Sequence, residues 1–183
     1  MSLFNKLKCA LFALALVCSG QTVCAQRVAV KTNALYWLTA SPNIGMELRM
    51  SRHITMNLEA AASPLSIKDT KLRHATFNPE LRYWFSARPQ AGHFAGIMGF
   101  ASAYDLHLKS QTHKGAAYGV GITYGYSLVF SKHWSMEATA GLGLLRYREK
   151  KYKDGTPQPK GVNHSGFTPA PTKLGVTFVY IFK

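Results

Sequence analysis

The last eleven residues constrain this chain most. Lys173-Leu174-Gly175-Val176-Thr177-Phe178-Val179-Tyr180-Ile181-Phe182-Lys183 place Leu174, Val176, Phe178, Tyr180 and Phe182 at alternate positions. A period of two gives a strand one continuous apolar face. Such a strand at a sheet edge invites pairing with other chains. A barrel removes the edge by pairing its last strand with its first. The stretch therefore predicts a β-barrel closed by its C-terminal strand.

The other end reads as a leader. Lys6 and Lys8 precede an apolar run from Cys9 to Cys18, the length of a signal-peptide core and too short to span a bilayer. Val23-Cys24-Ala25 offers small residues for cleavage. The expected organisation is a signal peptide over residues 1–25 and a barrel domain over residues 26–183. Lipid attachment needs a small residue before its cysteine, and Cys18 and Cys24 each follow valine. All three cysteines lie in the leader, so the exported part has no disulfide and no Cys-ligated metal. Internal hydrogen bonding of a closed barrel is the expected source of stability instead.

Without Lys6 and Lys8 the chain keeps 20 basic residues against 8 acidic ones, a net charge of +12. A basic protein seeks anions. Export argues against nucleic acid and favours lipid phosphates at a membrane surface. No stretch after residue 25 has the apolar length of a membrane helix, so a membrane reading is a barrel reading.

Eight strands follow from alternation and turn chemistry. The first runs from Val28 to Thr39, blurred at Tyr36-Trp37-Leu38. Ile44 to Met50 and Ile54 to Ala60 form a hairpin across Ser51-Arg52-His53, with Glu47 opposite Asn57. Thr76 to Phe85 is the fourth, with Pro79 expected at a bulge or unpaired position. Phe94 to Tyr104 is the fifth, with no assignable facing. Tyr118 to Phe130, Trp134 to Leu144 and the C-terminal stretch complete the set. Residues 63–73, 105–115 and 150–171 read as long polar loops, and residues 51–53, 86–92 and 131–133 as short turns. Short turns at one end and long loops at the other are the asymmetry of outer-membrane barrels, for which eight strands is the smallest single-chain number. Ser51-Arg52-His53-Ile54-Thr55-Met56 is echoed by Ser131-Lys132-His133-Trp134-Ser135-Met136, a hairpin design used twice.

One strand face carries large apolar residues, the other Gly, Ser, Thr, Asn and charge. In an eight-stranded antiparallel up-and-down transmembrane barrel the apolar face meets lipid and the polar face fills a narrow lumen. Tyr36, Trp37, Tyr83, Phe85, Phe130 and Trp134 near strand ends suit interfacial girdles. The inferred lumen holds Glu47, Glu59, Glu80 and Glu137 with Lys31, Arg49, Arg82 and Lys173. Four acids against four bases predict a salt-bridged plug, since an unpaired buried charge costs several kcal/mol.

Other chemistry has weaker support. The glutamates also suit a paired-carboxylate hydrolase site, but matching bases favour the lumen network. His53, His93 and His133 each open a strand, and no acidic ligand has metal-site spacing with them. Gly119, Gly121 and Gly125 lie in a strand and do not precede a helix, so they are not a phosphate loop. His164-Ser165 is similar to the His and Ser of eight-stranded lipid deacylases, but adjacent residues seldom present a base to a nucleophile. No cofactor is implied. Lys68, Lys71, Arg73, Lys109, Lys114, Lys150, Lys151, Lys153 and Lys160 lie in the three long loops and are expected to meet anionic lipid or acidic glycan, or simply water.

Two resemblances add to this reading. Gly175, Phe178, Tyr180 and Phe182, with Lys173, resemble the C-terminal signal read by the barrel-assembly machinery of Gram-negative bacteria, and Lys183 is one residue beyond its usual end. Lys31-Thr32-Asn33-Ala34-Leu35-Tyr36, Pro42-Asn43-Ile44-Gly45-Met46-Glu47 and Pro79-Glu80-Leu81-Arg82-Tyr83-Trp84 resemble blocks of a family of small exported proteins of unknown function from Bacteroides-type bacteria. Gly92-His93-Phe94, Gly125-Tyr126-Ser127, Trp134 to Glu137 and Pro171-Thr172-Lys173 match further blocks in the family's order. The resemblance implies an outer-membrane barrel, some members being encoded beside fimbrial genes, and supplies no catalytic residue. Family members with a Cys pair in the last long loop differ from this chain, which has none there. The expected function is a non-enzymatic outer-membrane barrel serving envelope integrity or surface and fimbria-associated interaction, with lipopolysaccharide, the assembly machinery and fimbrial proteins as partners. The alternatives are a lipid-modifying barrel enzyme and a soluble periplasmic barrel holding an apolar ligand.

Overall fold

The structure, a computed structural model, describes residues 28–67, 70–86, 88, 90–108, 111–153 and 161–182. The expected leader, residues 1–25, lies outside the described residues. The strands are β1 (Val28–Asn33), β2 (Asn43–Arg49), β3 (Ile54–Ile67), β4 (Thr70–Trp84), β5 (Gly92–Leu108), β6 (Gln111–Val129), β7 (Trp134–Lys153) and β8 (His164–Ile181), with one short helix, α1 (Ala34–Leu38). Each strand is antiparallel to its neighbours in sequence, and the sheet closes on itself as a ring. The C-terminal stretch does close it: Ala29 pairs with Ile181 and Thr32 with Phe178. Glu47 pairs with Asn57 as the hairpin reading required.

The ring is polar inside and apolar outside. Glu47 and Glu137 are fully buried, whereas Ile122 and Leu142 are 69% and 67% exposed. Alternation along β6 puts Tyr118, Val120, Ile122, Tyr124, Tyr126 and Leu128 outward, with Thr123 and Ser127 buried. β5 resolves the same way, with Phe94 and Met98 inward and Ile97 outward.

Two sequence expectations need correction. The first strand ends at Asn33, not Thr39, and α1 follows. Asn33 caps that helix by accepting from the Leu35 amide at 3.1 Å. Asn43 holds the Asn33 backbone from across the loop, accepting from its amide at 2.7 Å and donating to its carbonyl at 2.9 Å. A capped turn satisfies these backbone groups locally, so the ladder is not needed there. The blurred alternation at Tyr36-Trp37-Leu38 was the trace of this turn. The second correction concerns the long loops. β3 and β4 pair out to Ile67 and Thr70, β5 and β6 to Leu108 and Gln111, and β7 runs to Lys153. Much of what reads as loop is ladder. Polar residues on both faces erase the period of two without breaking backbone pairing.

Pro79 fits its expectation. It faces Leu58 in the β3–β4 ladder, while the β4–β5 pairing lapses between Phe77 and Glu80. Gly99 lies against it, and a Cβ there would sit 3.3 Å from the proline Cγ. Among the described residues the ladder shifts register at Gly141/Leu142, opposite β8, where Lys173 pairs with Gly141 and Pro171 with Leu142. The extra residue, Thr172, is buried beside Lys173.

The repeated turn is one structure built twice. Met50 and Ser51 amides both donate to the Ile54 carbonyl at 3.0 Å, and Phe130 and Ser131 do the same to Trp134 at 3.0 and 3.2 Å. Ser51 Oγ accepts from the Ile54 amide at 3.1 Å, and Ser131 Oγ from Trp134 at 3.2 Å. His53 and His133 then direct Nδ1 to the carbonyls of Trp84 and Ile181, each at 3.0 Å. Each imidazole stacks on a tyrosine of the neighbouring strand, Tyr83 or Tyr180, at 18°.

Small residues make the interior possible. A Cβ on Gly125 would lie 2.5 Å from Phe94 Cζ and 2.7 Å from the Ala138 carbonyl. The Gly125→Val change should therefore destabilise by at least about 1–3 kcal/mol, the usual cost of overpacking. Adding Phe94→Leu should recover part of that loss. A denaturant midpoint for both single variants and the double variant measures it, and strict additivity would contradict the contact.

Candidate functional site

The charged interior is the most densely bonded region. Lys31 on β1 donates to both Glu137 oxygens at 2.7 and 2.8 Å and is also ion-paired with Glu47. Arg82 on β4 is the hub. One of its terminal nitrogens donates to Glu47 at 3.2 Å and Glu137 at 3.0 Å, and the other to Glu80 at 2.9 Å. The guanidinium also lies 4.4 Å from the centre of the Phe94 ring. Lys173 on β8 reaches Glu59 at 2.6 Å and Glu80 at 3.0 Å. Thr123 and Asn57 donate to the two Glu80 oxygens at 2.5 and 3.2 Å. These bonds brace strands on opposite sides of the ring, so the network fixes its cross-section.

Seven of the eight expected interior charges meet here. Arg49 does not. It ends β2 at the mouth of the ring, and its Nε donates to the Ser51 carbonyl at 3.1 Å on the exposed side. The network thus sets four carboxylates against three cations. Each of the four touches a cation. Glu47 and Glu59 each keep one buried oxygen with no protein partner. That arrangement is a brace with spare acceptor capacity, not an acid–base pair around a cleft.

A second cluster, not anticipated from sequence, lies near the other mouth. Glu149 on β7 accepts from Tyr104 at 3.1 Å, and the Nδ1 atoms of His113 and His164 lie 3.3 and 3.0 Å from it. These groups sit beyond the exposed aromatic row of Phe77 and Tyr118. Burial pushes the Glu149 carboxyl up, but the bonds from His113 and Tyr104 outweigh it and hold the group below the usual carboxylate range. Burial, then the Glu149 charge, pushes the Tyr104 hydroxyl up to about 12. The only sequence signal was parity: Glu149 takes the inward face between outward Arg148 and Lys150. Ser165 pairs with Arg148 and His164 with Glu149. Successive strand residues point to opposite faces, so the serine is turned away from the histidine it would need.

The three turn histidines do not converge. His53 and His133 are held by backbone carbonyls of different strands, and His93 Nδ1 lies 2.8 Å from the Tyr124 hydroxyl. No group of three His, Cys, Asp or Glu suited to a metal occurs among the described residues. In β8, Phe178 and Phe182 face outward with Tyr180 half-buried beside Trp134, and Gly175 faces inward against Asn33.

Of the surface cations, Lys68, Lys109 and Lys160 lie outside the described residues, as do the side chains of Lys71, Lys151 and Lys153. Arg73, Lys114 and Lys150 all sit on strands and face outward, joined by Arg146 and Arg148 on the same face of β7. Arg146 lies 5.2 Å from the Phe167 ring centre.

The interior yields a paired prediction. Arg82→Met should destabilise by about 3–5 kcal/mol, because it leaves buried carboxylates uncompensated. Glu59→Gln should cost far less, since it removes the excess acid and leaves Lys173 paired with Glu80. Unfolding midpoints of the two variants decide it, and equal losses would contradict the excess.

No curated protein and no solved structure matches the chain. A family match spans residues 10–182, nearly its whole length. The chain therefore belongs to the family described as protein of unknown function (DUF3575).

Proposed function

We propose that this protein is a small outer-membrane β-barrel without enzymatic activity, acting in envelope integrity or surface interaction. The observation that carries the reading is the inside-out ring. Exposed Ile44, Leu81, Ile97, Val120, Ile122, Leu142, Leu144 and Leu174 wrap a closed sheet whose interior is ionic. In water that arrangement would expose a continuous apolar belt and bury charge, both unfavourable. In a bilayer the belt faces acyl chains, and pairing of β1 with β8 leaves no strand edge over the paired height of the ring.

Aromatic residues flank the belt. Tyr83, Phe85, Tyr126, Phe130, Trp134 and Phe182 are exposed at the short-turn end, and Trp37, Phe77, Tyr118 and Phe167 at the other. Aromatic rings with a polar tip concentrate where membrane meets water. No helix among the described residues could cross a membrane, so strands are the crossing elements of this reading.

The interior network argues for a plug, and the separation of His164 from Ser165 argues against the lipid-deacylase alternative. A soluble barrel holding an apolar ligand needs an apolar lumen, whereas apart from Trp84, Phe94 and Met98 the large apolar residues point outward and the interior is ionic. Membership of fimbrial gene neighbourhoods, and the Bacteroides-type origin that the sequence resembles, remain part of this proposal.

Small membrane barrels resist detergent until heated. Outer membranes run on a gel with and without boiling should give a membrane-bound band whose mobility shifts. A soluble protein with unchanged mobility would overturn the reading and make the apolar exterior an interaction surface in water.

A further inference from the structure

Above the aromatic row at the long-hairpin end, the outer wall has a recess of about 780 Å³. Its floor is a row of four alanines, each paired with the next: Ala62 with Ala75, Ala75 with Ala103, and Ala103 with Ala116. The row ends at Arg148, which pairs with Ala116. The outward row on one side is larger. Phe77 pairs with Ala101, Ala101 with Tyr118, and Tyr118 with Arg146. On the other side Arg73 pairs with Asp105, Asp105 with Lys114, and Lys114 with Lys150. Successive outward rows are two residues apart, about 7 Å. The short alanine side chains thus leave a trough between an aromatic row and a charged row.

Charge along the trough is uneven in an informative way. Arg73 stands at the β4 end. Arg148 stands at the β7 end. Between them Lys114 is 3.7 Å from Asp105, so the centre is a neutral pair. β4 and β7 are three strand spacings apart, about 14 Å. The complementary ligand is therefore wide and flat, with an anion at each end and an uncharged middle. A headgroup with one phosphate reaches only one end, and placed centrally it meets Asp105.

We infer that this trough is the headgroup site for a bisphosphorylated glycolipid of the outer leaflet, a two-sugar head with a phosphate at each end and several acyl chains. The sugars lie on the alanine floor. The phosphates take charge-assisted bonds from Arg73 at one end and Arg148 at the other. The acyl chains run past Phe77 and Tyr118 onto the aliphatic belt. This inference rests on the outer-membrane reading and deepens it by naming the lipid class and the residues that hold it.

The test uses the full-length protein as exported, extracted in detergent and shown to be folded by its heat-dependent gel mobility. Native mass spectrometry then reports the lipid bound from equimolar bisphosphorylated lipid A, monophosphorylated lipid A and phosphatidylglycerol. The bisphosphorylated lipid should be bound preferentially. Arg73→Gln should weaken it roughly fivefold, the effect of one surface cation near anionic lipid. Ala75→Trp with Ala103→Trp should abolish the preference while leaving every charge in place. Asp105→Asn should raise binding of the monophosphorylated lipid and narrow the preference. Because these side chains face outward, each variant should keep its mobility shift, and only folded variants are compared. Equal binding of phosphatidylglycerol, or an unchanged preference after the trough is filled, overturns the glycolipid site but not the barrel. A soluble wild-type protein without a mobility shift overturns both.

Discussion

Closure of the backbone ladder between β1 and β8 is the condition on which everything else rests. Once Ala29 pairs with Ile181 and Thr32 with Phe178, no strand edge is left over the paired height of the ring. The sheet then has two surfaces that differ in kind. One is enclosed and small, the other large and open. A sequence alternating charge with aliphatics can satisfy both only if the charges pair across the enclosure. Arg82 contacts Glu47, Glu80 and Glu137 from three strands, which holds the ring to the width that such pairing needs.

Width in turn explains the small residues. Interior space goes to a few large groups: Arg82, Trp84, Phe94, Met98 and the glutamates. Phe94 and Glu80 each lie against bare backbone. Gly125 receives Phe94, and Gly96 receives Thr123 and Glu80, where an added Cβ would lie 2.6 and 3.0 Å from them. Trp84 also finds a partner for its indole nitrogen, which donates to Thr55 at 2.8 Å. The glycines on the polar face are volume reserved for the plug.

Much of this was legible from the sequence because alternation reports a difference between two faces. Along β6 that difference is large, and both the strand and its facing followed from the residues. Where both faces are polar the signal vanishes, so the ends of β3 to β7 read as loops although their ladders continue. α1 was missed for another reason. A capped turn of five residues is set by two asparagines, Asn33 and Asn43, ten positions apart, and no period marks it. Arg49 was misplaced because parity gives the face of a residue and not its height. It has the inward parity of Glu47 but sits at the mouth, where the Ser51 carbonyl is nearer than any carboxylate of the plug.

The same distinction between face and height separates the two sets of cations. Lys31, Arg82 and Lys173 lie inward at mid-height and are consumed by glutamates. Arg73, Lys114 and Arg148 lie outward beyond the aromatic row, where Lys114 faces Asp105 at 3.7 Å. The short-turn end is organised differently again. There the repeated Ser-x-His turn directs a histidine Nδ1 to a backbone carbonyl of the next strand and stacks the ring on tyrosine. That device secures the turn by its own local bonds and presents no ligand geometry. On the proposed reading the two ends therefore have different tasks, one anchoring and one recognising. The basic excess noted in the sequence is shared between them, since Arg49, Arg52, Arg88 and Lys132 lie at the short-turn end and the plug itself holds more acid than base.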